Sequence, residues 1–298
     1  MCIRDRKIAE GCSNNCTYCA IPSIRGKYRS RRMEDIVKEA RWLAENGVTE
    51  LVVVAQDTTR YGEDIYGKSM LPELLTALCE IDGFKWIRTL YCYPERITDE
   101  LLDVIAKEDK LVKYLDMPIQ HCNKTILKRM NRHGDRETLT ALIKKIREKI
   151  PNVTLRTTLI TGFPGETEEQ FEELCEFVKE IRFERLGCFA YSPEEGTPAE
   201  KFEDQVPLKD RERRAEIIME EQMIISDSLN EAALDSEVEV VCEGFDRYAE
   251  CYYGRSQADA PEIDGKIFFL SEDKVRVGEY VKVKIDDTMD YDLIGSKM

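Results

Sequence analysis

The sequence predicts an α/β fold of six parallel strands with crossover helices, followed by a small all-β barrel. Apolar segments with the periodicities of strands and of helices alternate through most of the chain. From Ser236 the apolar period changes to two, and glycines separate the short apolar segments. We therefore predict a first domain at residues 1–228 and a second domain at residues 229–298. The six parallel strands allow either an open doubly wound sheet or a partial barrel.

Local signals place the elements of the first domain. Ile36, Ala40 and Leu43 share one helix face, and the near-continuous apolar run at residues 51–55 is typical of a strand covered on both faces. Thr167 and Gln170 have the spacing of a capping box. The predicted strands are 7–10, 51–55, 86–92, 113–118, 153–161 and 186–191, and the predicted helices are 34–46, 72–81, 99–107, 124–130, 136–149, one after Thr167, and 208–234.

Polar, irregular segments follow five of these strands. They are the loop around Cys12, then residues 56–59, 93–95, 120–121 and 162–165. The working residues of parallel α/β folds lie at the carboxyl ends of the strands. The sequence therefore predicts a functional site at this edge of the sheet.

The second domain alternates apolar and charged residues. Val238 and Val240 alternate with glutamates, and Val281, Val283 and Ile285 alternate with lysines. This pattern predicts about five short antiparallel strands in a small barrel.

Composition narrows the class of protein. Charged residues make up 35% of the chain, hydrophobic residues 42%, and no apolar run reaches the length of a membrane span. The first residues, MCIRDRK, lack the apolar core of a signal peptide. Eleven mostly isolated cysteines fit a reducing compartment, so we expect a cytoplasmic protein. The net charge of −15 argues against a general nucleic-acid binder and favours a basic partner.

Three cysteines form the most informative motif. Cys12, Cys16 and Cys19 stand in a C-x3-C-x2-C array, and Tyr18 precedes the last of them. Three thiolates on one loop suit a soft metal centre. A four-iron cluster held by three thiolates leaves one iron open for a ligand. A zinc knuckle, which needs a fourth ligand, and a dithiol pair at Cys16 and Cys19 are the alternatives.

Several segments together resemble the methylthiotransferases of the radical S-adenosylmethionine (AdoMet) superfamily. The closest similarity is to the branch that modifies an aspartate of a small-subunit ribosomal protein. The segments are AIPSIRGKYRSR after the cysteines, AQDTTRYGEDIYG (55–67), YCYPERITDEL (91–101), LDMPIQH (115–121), RMNRHG (129–134), TTLITGFPGET (157–167), FAYSPEEGTPA (189–199) and GRSQADAPEIDG (254–265).

The resemblance implies a (β/α)6 partial TIM-type barrel followed by a TRAM barrel of the OB-like kind. It implies a [4Fe–4S] cluster on Cys12, Cys16 and Cys19, and AdoMet cleaved to methionine and a 5′-deoxyadenosyl radical. That radical would take hydrogen from the β-carbon of the target aspartate, where a methylthio group is added. The cofactors would carry this chemistry, while the protein orients them and excludes water.

The resemblance also implies AdoMet contacts. Gln56 would meet the methionyl group, and Arg156 would pair with the AdoMet carboxylate. Ile160, Gly162 and Tyr18 would lie along the adenine. An ordinary ion pair is the alternative to an AdoMet contact for Arg156. A tight turn before a helix is the alternative to an adenine contact for residues 162–165. We read His121 and His133 as polar packing residues.

The chain departs from the family pattern at its start. Full-length relatives carry a preceding domain with three cysteines for a second [4Fe–4S] cluster, which delivers sulfur. Those ligands are absent here, and residues 1–6 match the family poorly. We expect a fragment that binds a cluster and AdoMet and cleaves AdoMet.

Charge separates the candidate substrates. Between Leu229 and Met298 there are 17 Asp and Glu against 8 Lys and Arg. An acidic barrel favours a basic ribosomal protein over transfer RNA, the substrate of the nearest rival enzymes. We expect an external electron donor and neither a membrane nor a nucleic acid as partner. A non-catalytic module that binds zinc is the alternative from another class.

Overall fold

The computed structural model describes residues 2–298 and contains an α/β unit and an all-β unit joined by a long helix. The first unit contains β1 (Ile3–Lys7), β2 (Ala9–Glu10), α1 (Ile21–Arg25), β3 (Arg29–Ser30), α2 (Met33–Glu45), β4 (Glu50–Val54), α3 (Glu63–Tyr66), α4 (Leu71–Cys79), β5 (Trp86–Thr89), α5 (Asp99–Lys107), β6 (Tyr114–Asp116), α6 (Lys124–Arg129), α7 (Arg136–Lys149), β7 (Thr154–Thr161), α8 (Glu168–Ile181) and β8 (Arg185–Ala190). The joining helix is α9 (Leu208–Glu231), and the second unit contains β9 (Glu237–Asp246), β10 (Cys251–Arg255), β11 (Ile267–Leu270), β12 (Tyr280–Met289) and β13 (Asp292–Lys297).

The six main strands of the first unit are parallel and follow chain order. They form two three-stranded sheets, β1-β4-β5 and β6-β7-β8, and an isolated bridge between Ile87 and Leu111 joins the two. A doubly wound sheet reverses its strand order at a switch point, and this order does not reverse. The first unit is therefore the partial barrel that the resemblance implied.

Successive side chains of each strand point to opposite sides of the barrel wall. Leu51 and Val53 pack outward into the large core beneath the helices, together with Ile36 and Leu43 of α2. Val52 belongs instead to a separate interior cluster with residues of the second unit. The capping box of α8 is present, with Thr167 and Gln170 exchanging side-chain and backbone hydrogen bonds as predicted. No helix within residues 2–298 is long and apolar enough to span a membrane.

Two predicted features of the fold are wrong. The first strand is β1, which starts at Ile3 and pairs with β4, rather than a strand at residues 7–10. The backbone amides of Thr49 and Glu50 donate to the carbonyl of Cys2 and extend this pairing. The C-terminal barrel is closed and five-stranded, but β11 and β13 pair in parallel, whereas we predicted only antiparallel pairs.

Helix α9 continues past the predicted boundary at residue 228, and that boundary stays a prediction.

The interior of the partial barrel contains a buried carboxylate between two guanidinium groups from different units. Glu50 and Arg88 are fully buried, and Arg255 is 2% exposed. Arg88 Nε lies 3.3 Å from Glu50 Oε1, and Arg255 Nη2 bonds the other carboxylate oxygen. A charge taken out of water is stable only when it is paired and hydrogen-bonded. Glu50 therefore depends on an arginine of the second unit.

Two further ion pairs join the units inside the barrel. Arg156 Nη1 lies 2.9 Å from Asp116 Oδ1, and its Nε lies 3.6 Å from Asp264 Oδ1. Arg185 Nη2 lies 2.6 Å from Asp259 Oδ1. Both Asp259 and Asp264 lie between β10 and β11, so one segment of the second unit supplies charges to the first unit's interior.

We predict that Arg255→Met lowers the free energy of unfolding by about 3–5 kcal/mol, because it removes one partner of a fully buried carboxylate. Urea denaturation followed by circular dichroism measures the effect. The matched control is Lys68→Met, because Lys68 pairs with Glu73 at the surface, where an ion pair contributes little. Equal unfolding midpoints for both variants would contradict the interpretation.

Candidate functional site

The cysteine loop lies between β2 and α1 and is fixed by hydrogen bonds at its start and in its middle. The amide of Cys12 donates to the carbonyl of Gly26 over 3.1 Å. The amide of Thr17 donates to the carbonyl of Met130 over 3.1 Å, and its hydroxyl donates to the carbonyl of Arg129 over 2.8 Å. The connection after α6 therefore holds the middle of the loop, between the second and third cysteines.

All three loop cysteines are free thiols in different environments. Cys16 is buried, and its Sγ lies 2.7 Å from the hydroxyl of Tyr93, which follows β5. Cys12 and Cys19 are partly exposed, and burial raises the pKa of both thiols above the ordinary value. A metal centre binds thiolates, so loading this loop would release protons.

The donor set fits an iron–sulfur cluster by its chemistry. Three thiols on one short loop are the ligands that such clusters take. Across residues 2–298, no group of three or more His, Cys, Asp or Glu side chains is arranged to hold a single metal ion. The assignment of Cys12, Cys16 and Cys19 as cluster ligands stays a prediction.

An arginine–aromatic cluster lies beside Cys16. The guanidinium carbon of Arg132 lies 3.8 Å from the centre of the Tyr93 ring, and Arg132 Nη1 donates to the Tyr18 hydroxyl over 3.5 Å. Arg132 Nε donates to Glu95 Oε1 over 3.3 Å, and its Nη2 donates to the carbonyl of Pro118. Arg132 thus joins the ends of β5 and β6 to the cysteine loop.

The cysteine loop is also tied to the end of β4. Asn14 Nδ2 donates to Asp57 Oδ2 over 2.8 Å, and Arg60 Nη2 donates to Asn14 Oδ1 over 2.8 Å. Asp57 is fully buried, and its second oxygen accepts from the Thr59 hydroxyl. Hydrogen bonds between side chains therefore connect the cysteine loop to the segment that follows β4.

Gln56 lines a cavity of about 980 Å3 on the inner side of the partial barrel. The cavity extends from Lys7 and Tyr91 to Glu262 of the second unit. Gln56 Oε1 is buried and has no hydrogen-bond partner among residues 2–298. A buried acceptor without a partner costs free energy, and a ligand that donates a hydrogen bond removes that cost.

Arg156 lies inside the barrel between two carboxylates, Asp116 and Asp264. This is the ordinary ion pair that we named as the alternative to an AdoMet contact. The guanidinium group has five donors, and the ion pairs described here use two of its nitrogens. The role of Arg156 towards AdoMet stays a prediction.

Tyr18 and Ile160 pack against the same small cluster above β7. Its buried members include Met130, Phe163 and Tyr191, which come from three different connections. The structure therefore brings together two of the residues that the resemblance placed along the adenine. Their contact with adenine stays a prediction.

Gly162 begins the turn after β7 with a φ of +67°. A Cβ there would lie 2.4 Å from Arg211 Cγ of α9. The amide of Gly162 donates to both carboxylate oxygens of Glu166 at 3.0 Å. The glycine therefore allows helix α9 to approach the end of β7, and its contact with adenine stays a prediction.

His121 is fully buried at the end of β6. Its Nδ1 accepts from the amides of Cys122 and Asn123, and its Nε2 lies 3.5 Å from Glu166 Oε2. These contacts agree with the reading of His121 as a packing residue.

Sequence reasoning missed Asn14, Arg132 and Tyr91. Asn14 and Arg132 act through contacts between distant loops, and no spacing in the sequence marks them. Tyr91 has a left-handed backbone conformation. A glycine or an asparagine at this position would have indicated such a conformation in the sequence, but a tyrosine does not.

We predict that Gly162→Ala lowers the free energy of unfolding by about 1–3 kcal/mol more than Gly196→Ala does. Both glycines have left-handed φ angles, of +67° and +80°, but a Cβ at Gly196 meets nothing within 4 Å. The difference between the two variants in the free energy of unfolding therefore measures the cost of the steric overlap between the added Cβ and Arg211. Denaturant unfolding of both variants measures it, and equal losses would contradict the assigned overlap.

Comparison with known families gives two matches. The family model for the radical SAM superfamily matches residues 7–178, and that for the TRAM domain matches residues 236–297.

Among solved structures, coproporphyrinogen III oxidase (HemN) from Escherichia coli, described as a radical SAM enzyme, superposes with a TM-score of 0.54 at 20% identity. That superposition covers 76% of this chain and 52% of HemN. The methyltransferase TsrM from Kitasatospora setae superposes with a TM-score of 0.51 at 17% identity, over 64% of this chain and 37% of TsrM. These two structures support the fold alone.

Curated relatives are much more similar in sequence. The chain is 52% identical to the ribosomal protein uS12 methylthiotransferase RimO of Clostridium tetani and 53% identical to that of Clostridioides difficile. Each match covers 97% of this chain and 65% of the relative, so the chain spans about 65% of the length of these relatives. The superfamily implies a [4Fe–4S] cluster and S-adenosylmethionine. By the match over more than half of its length, the chain belongs to the radical SAM superfamily, and it carries a TRAM domain after the radical SAM region.

Proposed function

We propose that this chain is the radical core of a methylthiotransferase that acts on the β-carbon of an aspartate in a small-subunit ribosomal protein. The observation that carries the proposal is the position of the cysteine loop. Cys16 contacts Tyr93 at the end of β5, and Asn14 contacts Asp57 next to Gln56, which lines the barrel cavity. A cluster on Cys12, Cys16 and Cys19 would therefore lie at the edge of a cavity that can receive AdoMet.

The cluster and AdoMet, when bound, would supply a carbon radical that removes a hydrogen atom from the substrate. The residues of the chain hold and shield these groups. The buried acceptor of Gln56 suits the ammonium group of the methionyl part. Ile160 and Tyr18 offer an apolar wall for the adenine, and Gly162 leaves space at the adjoining turn.

Arg156 has a smaller role than Gln56 in the proposed recognition of AdoMet. Its Nη1 faces Asp116 and its Nε faces Asp264. A bidentate pair with AdoMet would use at least one of these two nitrogens and would therefore share it with an aspartate or replace that contact. We therefore give Gln56 the larger part in AdoMet recognition.

The substrate assignment rests on the relatives and on charge. The relatives are named for ribosomal protein uS12, and this chain's C-terminal barrel is strongly acidic. An acidic surface attracts a basic ribosomal protein and repels RNA. An external donor would supply the electron, a second [4Fe–4S] cluster with other ligands would supply sulfur, and the reaction would take place in the cytoplasm.

Anaerobic iron–sulfur reconstitution followed by an AdoMet cleavage assay under dithionite tests the proposal. We expect the wild-type chain to bind about four iron atoms per chain and to form 5′-deoxyadenosine. Cys16→Ala should lose most of the iron and all of the product, because one of three cluster ligands is gone. The control is Cys175→Ala, because Cys175 is a thiol on α8 outside the loop.

A colourless wild-type chain that binds one zinc ion and forms no product would overturn the proposal and support the metal-binding module instead. Equal iron loss in Cys175→Ala and Cys16→Ala would also count against the loop as the cluster site.

A further inference from the structure

Tyr91 has a strained backbone at the end of β5. Its φ is +60°, in the left-handed region that bulky side chains rarely adopt. Strand β5 stops two residues earlier, at Thr89. Strain of this kind persists only where the surrounding structure enforces it, and it is concentrated at functional sites.

Buried polar groups hold Tyr91 in this conformation from both sides. Its amide donates to Asp116 Oδ2 over 3.0 Å, and its carbonyl accepts from the amide of Thr58 over 3.0 Å. Asp116 is 1% exposed, and its other oxygen accepts from Arg156. The carboxylate is thus fixed by the ion pair that continues to Asp264 of the TRAM domain.

The result is an aromatic ring on the cavity wall. Tyr91 is 44% exposed, whereas its neighbours Leu90 and Cys92 are buried. Tyr91 and Gln56 line the same cavity, in which Gln56 Oε1 is a buried acceptor without a partner in the described chain. A hydrogen-bond acceptor and an exposed aromatic ring together suit a ligand that carries positive charge.

The chemistry of AdoMet matches this pair of groups. Its ammonium group donates hydrogen bonds, and its sulfonium centre is a cation with a methyl group attached. Aromatic rings bind such onium groups through the negative face of the ring. S-adenosylhomocysteine, the thioether that lacks the methyl group of AdoMet, has the same ammonium group but no sulfonium charge.

We propose that Tyr91 is an AdoMet-binding residue whose ring contacts the sulfonium side of the cofactor, and that Asp116 is the residue that positions it. This inference rests on the proposed function, since it assumes that AdoMet occupies the cavity. It assigns a sulfonium-recognition role to a strained residue of the strand-end edge.

The substitution Tyr91→Gly separates a binding role from a structural one. Glycine adopts a φ of +60° without strain, so the variant should unfold at the same temperature as the wild type or a higher one. Removal of the ring should lower the preference for AdoMet over S-adenosylhomocysteine by about two- to thirtyfold. Tyr91→Phe keeps a ring and should retain most of the preference.

The measurements are dissociation constants of both ligands by equilibrium dialysis with the anaerobically reconstituted chain, and thermal unfolding of each variant. Asn152→Gly is the matched control, because Asn152 is exposed after α7 with a φ of +58°. It should gain stability in the same way and leave both dissociation constants unchanged.

The outcomes distinguish a failure of the proposed function from a failure of the role of Tyr91. A wild-type chain that loads the cluster but binds neither ligand overturns the proposed function. A wild-type chain that prefers AdoMet, with the same preference in Tyr91→Gly, overturns the role of Tyr91 alone. A Tyr91→Gly chain that unfolds several degrees lower and loses both ligands equally shows that Tyr91 is structural, and also overturns it.

Discussion

The fully buried carboxylate of Glu50 is the constraint on which the arrangement of the two units depends. It lies at the start of β4, where water cannot solvate it, and it pairs with Arg88 from β5 and Arg255 from β10. Arg88 Nε lies 3.3 Å from one carboxylate oxygen, and the arginine from the TRAM domain bonds the other, so both units contribute to the pairing of this buried charge. The same region of the TRAM domain brings Asp259 and Asp264 to Arg185 and Arg156. The TRAM domain therefore completes the interior of the radical SAM barrel.

This dependence extends to the candidate site. Asp264 contacts Arg156, Arg156 contacts Asp116, and Asp116 accepts the hydrogen bond that holds Tyr91 in its left-handed conformation. Polar groups in a low-dielectric interior interact strongly when all are paired. The wall of the cavity is thus connected, through paired charges, to a domain that contributes no residue to the cysteine loop.

Much of the fold could be predicted because its signals are local. Apolar periodicity gave the helix at residues 99–107 with the bounds that the structure shows, and the Thr167 capping box marked the start of α8. The cysteine spacing and the strand-end segments point to the carboxyl-end edge of the sheet, and a functional site there stays a prediction. The partners of Arg156 could not be predicted, because Asp116 and Asp264 lie 40 and 108 positions away in the chain. The parallel pairing of β11 with β13 and the backbone of Tyr91 are likewise set by tertiary contacts, which leave no periodicity in the sequence.

We propose that the cysteine loop holds a cluster with one iron open to AdoMet at the cavity edge. Electron paramagnetic resonance of the reconstituted, dithionite-reduced chain tests this claim most directly, with spectra recorded before and after AdoMet is added. We expect the signal of a reduced [4Fe–4S] cluster whose g values change when AdoMet binds the open iron. A cluster signal that AdoMet leaves unchanged, at concentrations that saturate binding, would contradict it.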